Sequence, residues 1–415
     1  MSEPVSPPDG RPVEESEGTW KVREIFRSDH PAVLTVLAIL AAVVLGSLLV
    51  VVSDQATRDA AKYFTAAPMD TVSAAWQAVS GAYAAIFKGS ILNPSSLSSG
   101  SLTTILGPIS ETIVSATPLI LAGLSVTLAF RAGLFNIGAQ GQILVAAIFA
   151  GYVGFAWHLP VVLHLIVAVL AGVVGGALWA GLAGVLKAKT GAHEVITTIM
   201  LNYVALRLVE FLLGVRGFQA PPYSQAISPT VDQNSTYPHL LGGTLRANCA
   251  FLVAIAAAAG VGWLLKSSTL GFRIRAVGAN QDAARTAGMS ISRVYIGVML
   301  IVGGLAGLAG GAQVLGTSPQ VTADIDAGIG FDAITVALLG RGSAIGTFWA
   351  GMLFGALRAG SVQLLASTST PPDLVQILQA LIVLFIAAPG LVRLIFRLKG
   401  DGGGGTAVAA KGWNG

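Results

Sequence analysis

The sequence contains very little charge. Asp, Glu, Lys and Arg make up 11% of its 415 residues, and the net charge is only +4. Soluble domains carry roughly 25% charged residues, so this chain lacks the polar side chains needed to cover a water-soluble surface. Residues 32–53 contain no charge at all, and a helix of about 20 apolar residues spans a bilayer. The chain is therefore an integral membrane protein.

Motifs of common enzymes and nucleotide-binding proteins are also missing. The single cysteine, Cys249, excludes an intrachain disulfide and a metal site built from cysteines. No GxxxxGK sequence followed by Ser or Thr occurs, and HEVIT at 193–197 carries Thr197 where a zinc protease needs its second histidine. No basic cluster with interleaved aromatic residues indicates nucleic acid. We therefore expect a non-enzyme that binds no metal or cofactor of its own and has no nucleic-acid partner.

The long apolar runs predict an all-α, polytopic membrane protein with about ten spanning helices. The spans are predicted near 32–53, 110–130, 141–157, 160–186, 194–214, 248–266, 293–315, 329–340, 344–366 and 373–396. Residues 69–87 predict a further helix along the membrane surface. We predict that the polar stretch 1–31 is an N-terminal tail and that residues 32–398 form the transmembrane domain. The glycine-rich stretch 399–415 is predicted to be a flexible C-terminal tail.

The distribution of basic residues predicts the orientation. With ten spans both termini lie on one side, and 17 of the 24 Lys and Arg residues fall in segments on that side. The opposite side holds five: Arg58, Lys62, Lys88, Arg216 and Arg246. Because positive charge is enriched in cytoplasmic loops, both termini are predicted to be cytoplasmic and residues 216–247 to form an outer loop.

The longest predicted cytoplasmic loop, residues 266–293, contains the signature of a short capped helix. Asn280 is a good N-cap residue, Asp282 suits the positive end of a helix, and Gly288 is suited to end it. The residues between the caps are small or charged: Ala283, Ala284, Arg285 and Ala287. One interpretation is an ordinary loop with an incidental helical turn, and the other is a rigid knob for a groove in a partner protein.

Amides and glycines interrupt the apolar sequence at "RAGLFNIGAQGQ", residues 131–142. Irregular backbone is tolerated at membrane depth only where it is buried in protein or lines a wet cavity. Asn136 and Gln140 are four residues apart and would share a face on a helical turn, and Asn202 interrupts the fifth predicted span. These amides either line a path for a neutral polar ligand or join helices by hydrogen bonds.

A second polar break, "GIGFDAITVALLGRG" at 328–342, occupies the corresponding place in the second half of the chain. Internal repeats are common in transporters and place the binding site between the two halves, so we consider a two-half repeat. Phe331 could stack on a flat base or simply pack in the core. Asp332 is a path candidate and also a candidate partner for Arg358, which must face protein or water because lipid exposure is too costly.

Five stretches resemble the permeases of branched-chain amino acid and simple-sugar ABC importers, and the first is similar to the nucleoside branch that works with basic membrane protein-type lipoproteins. They are RAGLFNIGAQGQ, GFRIRAVGANQDAARTAGMS, SETIVSATPLILAGLSVTLAF, HEVITTIMLNYVA and GFDAITVALLGRGSAIGTFWAGMLFGALRAG, which cover most of residues 100–390. The branch commonly has an acid where this chain has Gln140.

This resemblance implies a permease subunit in a bacterial plasma membrane that imports a nucleoside or related purine compound. It implies three protein partners: an ATPase subunit that binds ATP and Mg²⁺, a second related permease, and an external substrate-binding lipoprotein. The capped helix would couple to the ATPase through Asn280, Asp282, Ala283, Ala284, Arg285 and Gly288. The substrate path would include Asn136, Gln140, Asn202, Phe331 and Asp332.

Two alternatives stay open. A simple sugar is the alternative cargo within the same family. An ion-coupled secondary transporter would instead need buried carboxylates, and the only candidates in or beside predicted spans are Glu111, Glu194, Glu210 and Asp332.

Overall fold

A computed structural model describes residues 31–367 and 373–397 of the chain. The predicted tails, 1–31 and 399–415, lie outside these residues, apart from Pro31 at the start of the first helix. Over the described residues the chain forms helices joined by turns and loops, and no β-strand longer than an isolated bridge. The all-α prediction is therefore confirmed.

The α-helices, numbered along the chain, have the following bounds. They are α1 Pro31–Ser53, α2 Gln55–Ala61, α3 Pro68–Ser90, α4 Leu102–Arg131, α5 Ala139–Ala156, α6 Val161–Thr190, α7 Glu194–Leu212, α8 Ala250–Ser267, α9 Thr269–Ala279, α10 Gln281–Thr286, α11 Ile291–Ala312, α12 Ile329–Leu339, α13 Ala344–Ser367, α14 Asp373–Ala387 and α15 Pro389–Ile395. Short 3₁₀ turns cover Pro94–Ser99 and Gln233–Ser235, and a π-helical turn, Gln313–Thr317, extends α11.

Seven of the described helices are long and apolar enough to cross a membrane: α1, α4, α5, α6, α7, α8 and α11 with its π-helical extension. An eighth span results if α14 and α15, which are bent by 94° at their junction, are one broken span. Helix α12 is apolar but has only 11 residues, about 16 Å at the usual rise per residue. The chain is thus a multi-pass membrane protein, and the figure of about ten spans stays a prediction.

The bundle has a central group of spans and a peripheral group. Helices α4, α5 and α11 have most of their apolar window buried inside the protein, whereas α1, α6, α7 and α8 have less than a third of theirs buried. Most exposed side chains of α1 and α6 are apolar, including Val44 and Leu178, as expected for lipid-facing surfaces. The central helices α4 and α5 carry the junction that contains the first amide-rich break.

Glycines bring α6 and α11 into backbone contact. A Cβ atom added at Gly176 would overlap the carbonyl oxygen of Gly303, and one added at Gly307 would lie 2.6 Å from the carbonyl oxygen of Gly172. Small residues at such crossings are the usual means of tight helix packing in membranes, because hydrophobic exclusion from water does not drive association there. The contact fixes the peripheral helix α6 against the central helix α11.

The two ends of the bundle differ. At one end, called here the Arg131 end, α9 and the turn between α12 and α13 lie near Arg131. The other is called the Glu111 end, because Glu111 pairs there with Arg246 of the long connection between α7 and α8. This connection packs over the π-helical turn: Tyr237 N donates to Leu315 O over 2.9 Å, and Asn248 Nδ2 donates to Gly316 O over 3.1 Å. The connection therefore covers that end of α11.

Candidate functional site

The first break is a non-helical segment, 132–138, between α4 and α5. Helix α4 ends at Arg131, and Gly133 follows with a φ of 73°, a left-handed conformation that favours glycine. Asn136 lies in this irregular segment rather than on a helix. The expectation that Asn136 and Gln140 share one helical face is therefore wrong, because α5 begins only at Ala139.

Asn136 and Asn202 are buried and bond to the broken backbone. Asn136 Oδ1 accepts hydrogen bonds from Gly138 N over 2.9 Å and Gln142 Nε2 over 3.2 Å. Asn202 Oδ1 accepts from Gly141 N, and its Nδ2 donates to Ile137 O, both over 2.9 Å. Backbone groups left free by a helix break need such partners inside a membrane. In this structure both amides hold the break together.

Gln140 differs from the other two amides. It lies in the first turn of α5 and is partly exposed. Its side chain makes no hydrogen bond to the described part of the chain, whereas Asn136 and Asn202 each make at least two. Its amide can therefore bond to a molecule outside the chain.

The two glycine-rich breaks meet at Gln140. Gly328 has a φ of 80° and precedes α12. A Cβ atom added at Gly330 would overlap the backbone N and Cα of Gln140, so the first turns of α5 and α12 touch directly. Phe331 follows Gly330 and is 52% exposed. The structure thus brings Gln140 next to the segment that holds Phe331 and Asp332. The predicted two-half repeat stays a prediction.

A charged cluster flanks this contact. Arg358 Nη1 lies 4.0 Å from Asp332 Oδ2, so the pairing considered for these residues is present at long range. The same guanidinium donates a hydrogen bond to Ala327 O. Asp326, only 2% exposed, accepts from Gly330 N over 3.0 Å through Oδ1. Its other carboxylate oxygen has no partner among the described residues.

Sequence reasoning missed Asp326. Only carboxylates in or beside predicted spans were considered, and Asp326 precedes the eighth predicted span by three residues. The signal was its place before Gly328: an acid close to the start of a helix can accept the free backbone N–H groups of the first turn. In the structure Asp326 fixes the turn of α12 that touches Gln140.

The four carboxylates considered for ion coupling all have basic partners. The ion pairs are Glu111–Arg246 and Glu194–Lys187, each 2.9 Å, Glu210–Arg207 at 2.5 Å, and Asp332–Arg358 at 4.0 Å. No group of three His, Cys, Asp or Glu side chains among the described residues is arranged to hold a metal ion.

The capped helix predicted in the long loop is present as α10. Asn280 Oδ1 accepts hydrogen bonds from the backbone N of Asp282 and of Ala283, both over 3.0 Å. Gly288 follows the helix with a φ of 79°. Arg285 lies 3.7 Å from Asp282, and both side chains are exposed. Both predicted caps are therefore formed.

One member of this predicted surface faces the other way. Ala284 is only 3% exposed and packs in the main core cluster, whereas Ala283 and Ala287 are exposed. Residues 283 and 284 are neighbours on a helix and point about 100° apart. The outward small-residue face therefore consists of Ala283 and Ala287, and the expectation that Ala284 belongs to it is wrong.

Sequence reasoning also missed α9, Thr269–Ala279, which directly precedes α10. Ser268 Oγ caps it by accepting from Gly271 N over 2.8 Å. Its buried residues are Gly271, Ile274 and Val277, at the three-residue spacing of one helical face. Ser268 and this spacing were the available signals. Phe272, Arg273 and Arg275 are exposed on the rest of the helix.

Comparison with known proteins shows the family. The model of the branched-chain amino acid transport system permease component matches residues 109–387. The guanosine ABC transporter permease protein NupP of Bacillus subtilis is 38% identical over 296 residues, 71% of this chain and 85% of NupP. The nucleoside ABC transporter permease protein NupB of Lactococcus lactis is 34% identical over 69% of this chain and 81% of NupB.

A relative with a different cargo in its name is equally similar. The glucose ABC transporter permease protein TsgB13 of Haloferax volcanii is 39% identical over 295 residues, 69% of this chain and 77% of TsgB13. No solved structure matches the chain. The family match covers both helix breaks and the α9–α10 pair, and the chain therefore belongs to the family of branched-chain amino acid transport system permease components.

Proposed function

We propose that this chain is the permease subunit of an ATP-driven importer that carries a nucleoside or related purine compound into the cytoplasm. The observation that carries this proposal is the contact between the two broken segments, where the amide of Gln140, which has no hydrogen-bond partner among the described residues, lies next to the segment bearing the exposed ring of Phe331. The guanosine permease NupP and the nucleoside permease NupB support the cargo class, since both align over most of their lengths.

The proposed cargo matches these groups chemically. A nucleoside has a flat base that can stack on an aromatic ring and neutral polar edges that can bond to an amide. Gln140 and Phe331 would contact it directly, and Asp332, half-buried beside Arg358, would accept hydrogen bonds from base or ribose. Asn136 and Asn202 would act behind Gln140 by holding the break in shape.

The energy would come from partner proteins. We assign ATP and Mg²⁺ to a separate ATPase subunit, which would dock on α9 and α10. A lipid-anchored receptor would deliver the cargo from outside, and a second related permease would complete the path. ATP binding would close the ATPases and move the α9–α10 pair, so that the path opens alternately to the two sides. The docking surface would include the Asn280 and Gly288 caps, Asp282, Ala283 and Arg285.

We further propose about ten membrane segments with both termini in the cytoplasm of a bacterial cell. Besides the long apolar helices, α13 and the α14–α15 pair would cross the membrane, and short α12 together with the segment before it would make the tenth crossing. The Arg131 end would be cytoplasmic. The basic residues of α9 and α10 at that end, including Arg273, Arg275 and Arg285, support this orientation.

A sugar is the second candidate cargo, and the glucose permease TsgB13 is the specific observation in its favour. An ion-coupled carrier is less well supported, because each carboxylate considered for ion coupling has a basic partner.

The proposal is tested by uptake of radiolabelled guanosine into cells that lack their own chromosomal copy of this permease. Restoring the chain should restore uptake, and dissipating H⁺ and Na⁺ gradients with ionophores while ATP is maintained should leave uptake in place. Uptake that stops with the gradients despite normal ATP would contradict an ATP-driven importer.

A further inference from the structure

Helix α9 rests on the backbone at the start of the first break. A Cβ atom added at Gly278 would overlap the carbonyl oxygen of Arg131 and lie 2.9 Å from Gly133 N. A Cβ atom added at Gly133 would in turn lie 3.2 Å from the Cα of Gly278. No side chain separates the two backbones. A displacement of α9 therefore acts directly on residues 131–133, since packed contacts of this kind do not compress.

The side chain of Arg131 extends the contact to the second break. Its Nε donates a hydrogen bond to Gly342 O over 2.6 Å. Gly342 has a φ of 63° and belongs to the tight turn that joins α12 to α13. The charged donor makes this a stronger link than a neutral hydrogen bond. Arg131 thus holds the end of α12 while its own backbone supports α9.

The two segments that leave Arg131 meet again at the candidate path. The first runs from Arg131 through 132–138 to Gln140, and the second runs from Gly342 back along α12 to Gly330. Gly330 touches the backbone of Gln140. The two segments are therefore linked at both ends. At one end α9 and Gly342 contact Arg131, and at the other end, where the candidate substrate groups lie, Gly330 contacts Gln140.

We infer that Arg131 is a positioning residue that, through its backbone contact with Gly278 and its hydrogen bond to Gly342, transmits movement of α9 to both broken segments. This inference rests on the proposed function, since it assigns α9 to the ATPase. Arg131 does not touch the cargo. Its role is to make the Gln140 and Phe331 segments move together when α9 moves.

The test uses the complete complex in proteoliposomes: this chain, the ATPase, the second permease and the receptor. Arg131→Gln removes the charged donor to Gly342, and Arg293→Gln, which removes an exposed charge near the start of α11, is the matched control. We expect Arg131→Gln to assemble and hydrolyse ATP at the basal rate while moving about tenfold less guanosine per ATP, as expected for one charge-assisted hydrogen bond. Arg293→Gln should keep the wild-type ratio.

Gly278→Ala tests the backbone contact separately. The added methyl group would push α9 away from Arg131, and we expect the same loss of guanosine moved per ATP. Gly297→Ala on α11 is its control, because a Cβ atom there meets no atom within 4 Å. If the Arg131 and Gly278 variants move as much guanosine per ATP as the wild type, whether or not both rates fall, the inference is wrong.

A second readout does not depend on the cargo. In a Cys249→Ala chain carrying Phe331→Cys, on the second broken segment, the rate at which the new thiol reacts with an impermeant reagent should change when ATP is added. Adding Arg131→Gln should abolish that change, while Arg293→Gln should preserve it. If the wild-type complex moves no guanosine but the cysteine variants show this pattern, the proposed cargo is wrong and the inference is supported. An ATP response that persists in Arg131→Gln would overturn the inference.

Discussion

At the scale of single residues, the three amides of the candidate path have different environments. Asn136 and Asn202 bond to backbone groups of the helix break, whereas the amide of Gln140 has no partner in the described chain. Sequence alone marks all three as polar residues in an apolar context. Only the packing of α5 and α7 distinguishes an amide that joins helices from one that can bind a ligand.

Replacing Gln140 with leucine should reduce transport while leaving the protein folded. The change removes both hydrogen-bonding functions at similar size, and an unpaired buried polar group on the cargo costs about 1–3 kcal/mol, roughly tenfold to a hundredfold in an equilibrium constant. Gln140→Glu should keep activity because glutamate still accepts hydrogen bonds. Uptake is compared with the amount of intact complex, and normal uptake by Gln140→Leu at normal complex levels would remove Gln140 from the path.

Replacing Asn202 with leucine should have the opposite effect, a loss of stability. Gly141 N and Ile137 O would lose their partners, and leaving each buried group unpaired costs about 1–3 kcal/mol. Thermal unfolding of the purified chain in detergent should show a lower midpoint for Asn202→Leu than for Gln140→Leu. Equal midpoints would show that the amide network does not stabilise the break.

At the scale of helices, local sequence signals predicted what depends on local chemistry. The caps of α10 could be read from Asn280 and Gly288 because capping involves residues a few positions apart. The inward position of Ala284 could not be predicted from the local sequence, because it depends on contacts with the main core cluster. Helix α9 was missed because the segment was assigned to the loop between two predicted spans, although Ser268 and the apolar spacing marked its start and buried face.

The two faces of α10 give a matched pair of variants. Ala283→Asp places a charge on the exposed face, in the first turn, where a negative charge suits the helix dipole, so the chain should fold and yet bind its ATPase roughly tenfold more weakly. Ala284→Asp places the charge in the core and should reduce the amount of folded chain. Co-purification of the ATPase with each variant distinguishes the two effects. Full ATPase binding and normal uptake by Ala283→Asp would contradict docking on this face.

At the scale of the whole molecule, composition and apolar runs predicted a multi-pass all-helical protein, and the structure agrees. The number of spans was harder to predict because α12 is short and α14 and α15 are sharply bent. The contact between the two breaks could not be predicted from sequence either, since Gln140 and Gly330 are far apart along the chain and meet only through the tertiary packing of α5 and α12.

The orientation can be tested with single cysteines in a Cys249→Ala chain. Ser224, in the exposed part of the connection at the Glu111 end, and Ser290, before α11 at the Arg131 end, are both exposed. Ser224→Cys should react with an impermeant thiol reagent added to intact cells, and Ser290→Cys only after the cytoplasmic face is opened. Reversed labelling would place the basic Arg131 end outside and overturn the proposed direction of transport.

The central claim, ATP-driven nucleoside transport, is tested most directly in proteoliposomes containing the purified complex of this chain, its ATPase, the second permease and the receptor. Labelled guanosine is supplied on the receptor side, with ATP on the ATPase side and no ion gradient across the membrane. We predict that guanosine accumulates only when ATP is present and that excess unlabelled glucose does not compete. Accumulation of glucose in place of guanosine, or guanosine movement that needs an ion gradient and ignores ATP, would contradict the proposed function.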